Sequence, residues 1–253
     1  MFPIRDENPT LRPPVATYVI LGMNLFVWIF VQGLGFSEPL GQSICLYGLI
    51  PADLLGTTPA GAQIPLGGGW VCRLDGNGSI NSLITSMFMH GSWLHIIGNM
   101  LFLWVFGDNV EDVMGPGRFL LFYLLCGLAA AGAQIAADPT SVVPMVGASG
   151  AIGGVMGAYA IVFPRARVHL LIILIVYVTT ISVPAIFMLG YWFILQLIAG
   201  VGSLGAGGGG VAFWAHIGGF VAGVGLISLF KRADLMAARK QLGKRPAAKH
   251  RLF

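Results

Sequence analysis

Six stretches of this chain are mainly apolar for about twenty residues, the length a helix needs to cross the hydrocarbon core of a bilayer. They cover 16–35, 92–110, 117–137, 147–163, 184–202 and 211–230. Few architectures accept such a pattern. In lipid every backbone polar group must find an internal partner, so helices packed side by side are the default. Only 9% of the 253 residues are charged, against roughly 25% in a soluble domain. The expected fold is therefore an all-α membrane protein. A seventh apolar stretch, VHLLIILIVYVTTISV at 168–183, is shorter and rich in β-branched residues.

The basic residues set the expected topology, because they accumulate on the cytoplasmic side. Eight of the fourteen follow Phe230, in a tail directly after the last apolar stretch, where a topology anchor is a better reading than a nucleic-acid site. Arg5 and Arg12 precede the first stretch, Arg118 separates the second from the third, and Arg165 and Arg167 follow the fourth. Placing all of these inside leaves Arg73 alone outside, a split of 13 to 1. That split needs an even number of crossings between Arg167 and Lys231. Residues 168–183 then become an interfacial or re-entrant segment, or an extension of the fifth helix. The expectation is six transmembrane helices with both termini cytoplasmic. Residues 1–15 form an N-terminal segment, 16–230 the membrane domain and 231–253 a basic tail. The opening MFPIRDENPTLRPP does not read as a signal peptide.

The long external loop, 36–91, holds turn chemistry at DGNG (75–78) and should contain short surface pieces. Its Cys45 and Cys72 can pair if the loop faces an oxidising space. The third cysteine, Cys126, lies inside a span, and the three fit no metal spacing. The tract GAGGGG (205–210) precedes the last span and reads as a flexible connector or a gate.

Polar groups are costly inside a bilayer and so mark function. Four stand out: His95 and Asn99 in the second span, Ser149 in the fourth and His216 in the sixth. At 1.5 Å per residue, Ser149 and His216 lie roughly 24 and 22 Å above the cytoplasmic edge marked by Arg165 and Lys231. Counting back from Glu111 puts His95 at about 24 Å and Asn99 at about 18 Å. Three helices with separate charge anchors thus bring polar groups to one layer beneath the external face. A serine hydroxyl becomes a nucleophile when a neutral histidine takes its proton. Ser149 opens its helix, where developing negative charge is favoured, and its N–H, His95 and Asn99 can supply an oxyanion hole. Gly150 with Gly154, and Gly219 with Gly223, are small-xxx-small pairs that let two helices approach closely. No carboxylate lies in the layer, so a third partner for the histidine is not evident. His90 takes a supporting role near the external surface, and His169 and His250 fall outside the layer.

These residues resemble a known family. GASGAIGGVMGAY (147–159) resembles the GxSG nucleophile motif of rhomboid intramembrane serine proteases, and AHIGGFVAGV (215–224) their histidine helix. HGSWLHIIGNMLFLWVFGDNVEDVMGPGRF (90–119) resembles their second span, with its HxxxN pattern. The resemblance covers roughly 81–230 and implies a rhomboid-like six-helix bundle. It implies Ser149 as nucleophile, His216 as general base, and His95, Asn99 and the Ser149 amide as oxyanion hole, with Gly147 giving the preceding loop room for substrate. It also implies transmembrane protein substrates cut within or beside a helix, and neither metal nor cofactor. A prokaryotic plasma membrane fits the topology and the lack of a targeting signal.

Two departures stand out. Many members carry an aromatic four residues after the serine, where this chain has Gly153, so the histidine ring needs support from elsewhere, such as Phe213, Trp214 or Phe220. The adjacent Trp-Arg pair of many members is also missing, as Trp70 and Arg73 are separated. The alternative function is a non-catalytic rhomboid-like protein that binds or escorts transmembrane helices. A small transporter fits less well, because its site should lie at the bilayer centre, between paired halves.

Overall fold

The computed structural model describes residues 2–67, 70–74, 76, 78–174, 177–204 and 210–242. The chain starts with β1 (Phe2–Asp6) and α1 (Val15–Phe26), which runs on as a π-helical turn over Val27–Val31. The first long loop contains α2 (Ser37–Tyr47), α3 (Pro51–Leu54), a hairpin of β2 (Gln63–Gly67) and β3 (Trp70–Arg73), and α4 (Ser82–Thr85). Then follow α5 (Trp93–Met114), α6 (Pro116–Ala137) and α7 (Ser149–Val162). A second hairpin, β4 (Arg167–Leu174) and β5 (Tyr177–Pro184), leads into α8 (Ala185–Ser203), α9 (Phe213–Phe230) and α10 (Ala233–Leu242). Each of the six apolar stretches therefore contains one helix. By length and composition α6, α8 and α9 are each able to cross a membrane, while α7 and α1 with its extension are shorter apolar helices.

The all-α expectation needs correction. Residues 168–174 and 177–183 are extended strands, not an extension of the fifth helix. They form most of the β4–β5 hairpin, and β1 joins it as a third antiparallel strand in the order β1-β4-β5. The physical reason is composition together with a distant partner. A run of Val, Ile and Thr suits a pleated strand better than a helix. The N-terminal strand pairs Phe2 with Leu171 and Asp6 with Val168, satisfying one edge of β4. His169 Nε2 stands 2.8 Å from Glu7 Oε1, a second tie between hairpin and N-terminal segment.

Helix ends follow from local chemistry. Ser92 caps α5 by accepting from the His95 N–H, and Gly115, at φ +81°, turns the chain so that Pro116 can start α6. Glu111 near the end of α5 accepts from the N–H groups of Ala16 and Thr17 at 2.9 and 2.8 Å, so its carboxylate caps the first turn of α1. The neighbouring Asp112 binds Arg12 and Arg239, and Arg239 also reaches Asn8 and Asn109 and covers the Phe163 ring. The first part of the basic tail is thus docked on the bundle rather than free. Within the first loop, Cys45 and Cys72 form a disulfide, next to a small core of Ile50, Ile64 and Leu74.

At the centre stands α7, buried continuously from Gly150 to Ala160. A Cβ added at Gly219 would lie 1.9 Å from the Gly150 carbonyl oxygen, and one at Gly223 would lie 2.0 Å from that of Gly154. The α7 and α9 backbones therefore touch directly, as the glycine spacing led us to expect. The 205–209 part of the glycine tract, Asp75 and Asn77 of the DGNG turn, and the tail beyond Leu242 with His250 lie outside the described residues.

Candidate active site

Ser149 is the first residue of α7. The loop before it is pinned on both sides of Val146: Met145 exchanges two backbone hydrogen bonds with Leu49, and the Gly147 N–H donates to Ser86 O at 2.9 Å. Gly147 has φ +127°, which favours glycine, and a Cβ there would stand 2.6 Å from His95 Nε2. The loop can run this close to the histidine only because Gly147 carries no side chain.

His216 lies in the first turn of α9, facing the start of α7. Its Nε2 is 2.7 Å from Ser149 Oγ, and its Nδ1 is 2.8 Å from Gln196 Oε1 on α8. An amide oxygen only accepts, so Nδ1 carries the ring proton and Nε2 is left to accept from the serine hydroxyl. Trp192, one turn before Gln196, places its ring 5.9 Å from that of His216, and Phe220 backs Trp192 at 6.1 Å. Ring support thus comes from Trp192, with Phe220 behind it, rather than from Phe213 or Trp214. Gly153 sits close against α9, where a Cβ would meet His216 O at 3.0 Å, so a larger residue would press the two helices slightly apart.

His95 and Asn99 sit one turn apart on α5 and face the same cavity. The Gly91 N–H donates to His95 Nδ1 at 3.4 Å, which in the neutral ring leaves the proton on Nε2, pointing toward the Gly147 loop. Asn99 Nδ2 is 2.9 Å from His90 Nε2. One N–H of that amide is committed to His90, and the other is free for the cavity. His90 is held in turn by Gln32, which accepts from the His90 N–H and donates to its carbonyl, both at 2.8 Å.

Ser149, His216, His95, Asn99, Gly147 and Gly150 all line one cavity of about 540 Å³. Gly219 and Gly223 lie behind it, where they set the spacing of α7 and α9. A second cavity of about 550 Å³ shares Gly91, His95 and Val146 with the first and continues past Asp138 and Ser141. Trp70 packs over Gly41 of α2 and Arg73 is exposed, apart from this site. Among the described residues no three His, Cys, Asp or Glu side chains stand together as a metal site requires. Gln196, Trp192 and Gln32 were not singled out from sequence. Gln196 carried a signal, since an amide among the apolar residues of a span needs a partner.

Residues 77–233 match the Rhomboid domain. The chain is similar to Rhomboid protein 1, mitochondrial, of Saccharomyces cerevisiae, with 31% identity over 68% of this chain and 47% of that protein. It is similar to Rhomboid protease GluP of Bacillus subtilis, with 36% identity over 54% of this chain and 26% of that protein. A third relative, Putative rhomboid protease YdcA of the same species, is 28% identical over 58% of this chain and 61% of its own length. The chain thus spans between about a quarter and three fifths of the length of these relatives.

Proposed function

The chain belongs to the rhomboid family, and from that premise we propose that it is an intramembrane serine endopeptidase acting on transmembrane protein substrates. The observation that carries the reading is the 2.7 Å hydrogen bond between Ser149 Oγ and His216 Nε2. Apolar helices and family together make it an integral membrane protein. The charge asymmetry supports six crossings with both termini inside, and the membrane we propose for this topology is a prokaryotic plasma membrane.

In this mechanism Ser149 Oγ attacks the scissile carbonyl carbon as its proton passes to His216 Nε2. The carbonyl oxygen becomes an oxyanion, met by the Ser149 N–H at the start of α7, His95 Nε2–H and the uncommitted Asn99 N–H. The C–N bond then breaks, and His216 returns the proton to the leaving amine. Water reaching the site through the adjoining cavities attacks the acyl-enzyme by the reverse route, with His216 again as base. The glycine contacts between α7 and α9 support the reading, because serine and histidine sit on those two helices and need close backbones to meet.

The test is cleavage of a membrane-anchored substrate co-reconstituted in liposomes. Wild type should release a product that Ser149→Ala and His216→Ala do not. Substrate that crosslinks to wild type yet stays intact would favour the helix-binding alternative.

A further inference from the structure

The sequence offers His216 no carboxylate at the depth of Ser149, but the structure brings an amide there. Gln196 Oε1 lies 2.8 Å from His216 Nδ1, the ring nitrogen not used by Ser149. We propose that Gln196 is a positioning residue for His216, fixing the tautomer in which Nε2 takes the proton from Ser149. This inference rests on the protease reading.

A neutral imidazole has two tautomers, and only the one with its proton on Nδ1 presents a lone pair to the serine. Gln196 Oε1 is the atom that faces the ring, and in that orientation it accepts from Nδ1–H, whereas the other tautomer would need the amide turned over to present its N–H. Its residue spacing adds orientation. Trp192 and Gln196 are four residues apart, on one face of α8, so Trp192 meets the ring while Gln196 holds its edge. An amide also suits the depth. A carboxylate there would carry a desolvation cost that a neutral acceptor avoids. When the serine proton reaches Nε2, the Nδ1–H bond to Gln196 becomes charge-assisted and strengthens. The Nε2 proton then leaves with the amine as the C–N bond breaks.

Of the 19 residues of α8 only Ala185, Leu189 and Gly200 are buried, so α8 is the peripheral helix of the site. Both Gln196 and Trp192 reach the ring from this helix.

The experiment measures kcat and KM of the full chain in liposomes, using a transmembrane peptide with a quenched fluorophore pair. Fluorophosphonate labelling rate is a second readout. Gln196→Met keeps the side chain's length without an acceptor, and Gln196→Glu keeps an acceptor oxygen. The expected result is kcat about tenfold lower in Gln196→Met, equivalent to about 1.4 kcal/mol, near the upper end of a neutral hydrogen bond's net worth. KM should change little, the melting temperature of Gln196→Met should hold, and Gln196→Glu should recover most of the loss in kcat even where the desolvation cost of its carboxyl lowers its melting temperature. Gln196→Leu takes the place of Gln196→Met if the latter fails to fold. Unchanged kcat, equal losses in Met and Glu variants, or a change in KM alone would overturn the inference. Ser149→Ala run in parallel separates the two levels. Activity that requires Ser149 but ignores Gln196 refutes only this inference. Wild type that neither cleaves nor labels, or a Ser149→Ala variant that still does, refutes the protease reading.

Discussion

At Gly219 a methyl group has no space. Its Cβ would stand 1.9 Å from the Gly150 carbonyl oxygen and 2.8 Å from the carbonyl carbon, and both are backbone atoms that no rotamer change can move. Bringing the first contact to 3.0 Å requires α7 and α9 to part by about 1.1 Å. Ser149 adjoins Gly150, and His216 lies one turn before Gly219, so the separation falls on the reacting pair. Their 2.7 Å bond would stretch to about 3.8 Å, past a hydrogen-bond reach of about 3.2 Å. Misplacement of that size costs roughly a hundredfold in rate, and the strained contact costs about 1–3 kcal/mol of stability. The assay is the second-order rate of fluorophosphonate labelling, with a thermal melt in the same detergent. Gly219→Ala should label about a hundred times more slowly than wild type and melt earlier. Gly225→Ala is the control. It lies on the same helix, exposed, with nothing within 4 Å of its Cβ. It should label normally and gain up to about 1 kcal/mol from helix propensity. Wild-type labelling by a normally melting Gly219→Ala would refute the idea that direct backbone contact holds the pair together.

Gly147→Ala should slow cleavage more than it lowers stability, because its Cβ meets His95 Nε2 at 2.6 Å in a backbone conformation that disfavours a side chain; equal kcat in the two proteins would contradict this. Asp6 accepts from Tyr159 and Asn109, yet burial, opposed by the Tyr159 hydrogen bond, pushes its carboxyl up to about 6. A carboxyl raised in the folded state contributes stability that is fully present below its unfolded value near 4 and is lost as pH rises through about 6. Melting temperature should therefore fall from pH 5 to 7.5 more steeply in wild type than in Asp6→Asn, and parallel slopes would sink the assignment. The Cys45–Cys72 bridge closes a loop of 27 residues, worth about 3–4 kcal/mol in the chain-entropy picture. Reductant should lower the melting temperature of wild type and leave a Cys45→Ser/Cys72→Ser variant unmoved; matching curves with and without reductant would argue against that contribution.

What could be read from sequence was whatever repeats along one helix or is anchored by charge. Residue counts from Arg165, Lys231 and Glu111 placed Ser149, His216, His95 and Asn99 in one layer, and the structure sets all four around one cavity. The glycine pairs predicted a close crossing because a missing side chain is visible in the sequence itself. What escaped were pairings between distant segments. The β4–β5 hairpin owes its third strand to residues 2–6, more than 160 positions away, and no local period reveals such a partner. The partner of His216 is not legible because the usual partner of such a histidine is a carboxylate, and the group here is the Gln196 amide on another helix. Trp192 escaped because an aromatic in an apolar helix is unremarkable until its neighbour is known.

The central claim is that Ser149 is an activated nucleophile. The most direct measurement is covalent labelling of purified wild type, Ser149→Ala and His216→Ala by a fluorophosphonate probe, each shown by thermal melting to be folded. Label on wild type alone, mapped to Ser149 by mass spectrometry of the peptide around it, is the predicted result. Folded wild type that stays unlabelled at saturating probe, or label that persists in Ser149→Ala, would contradict it.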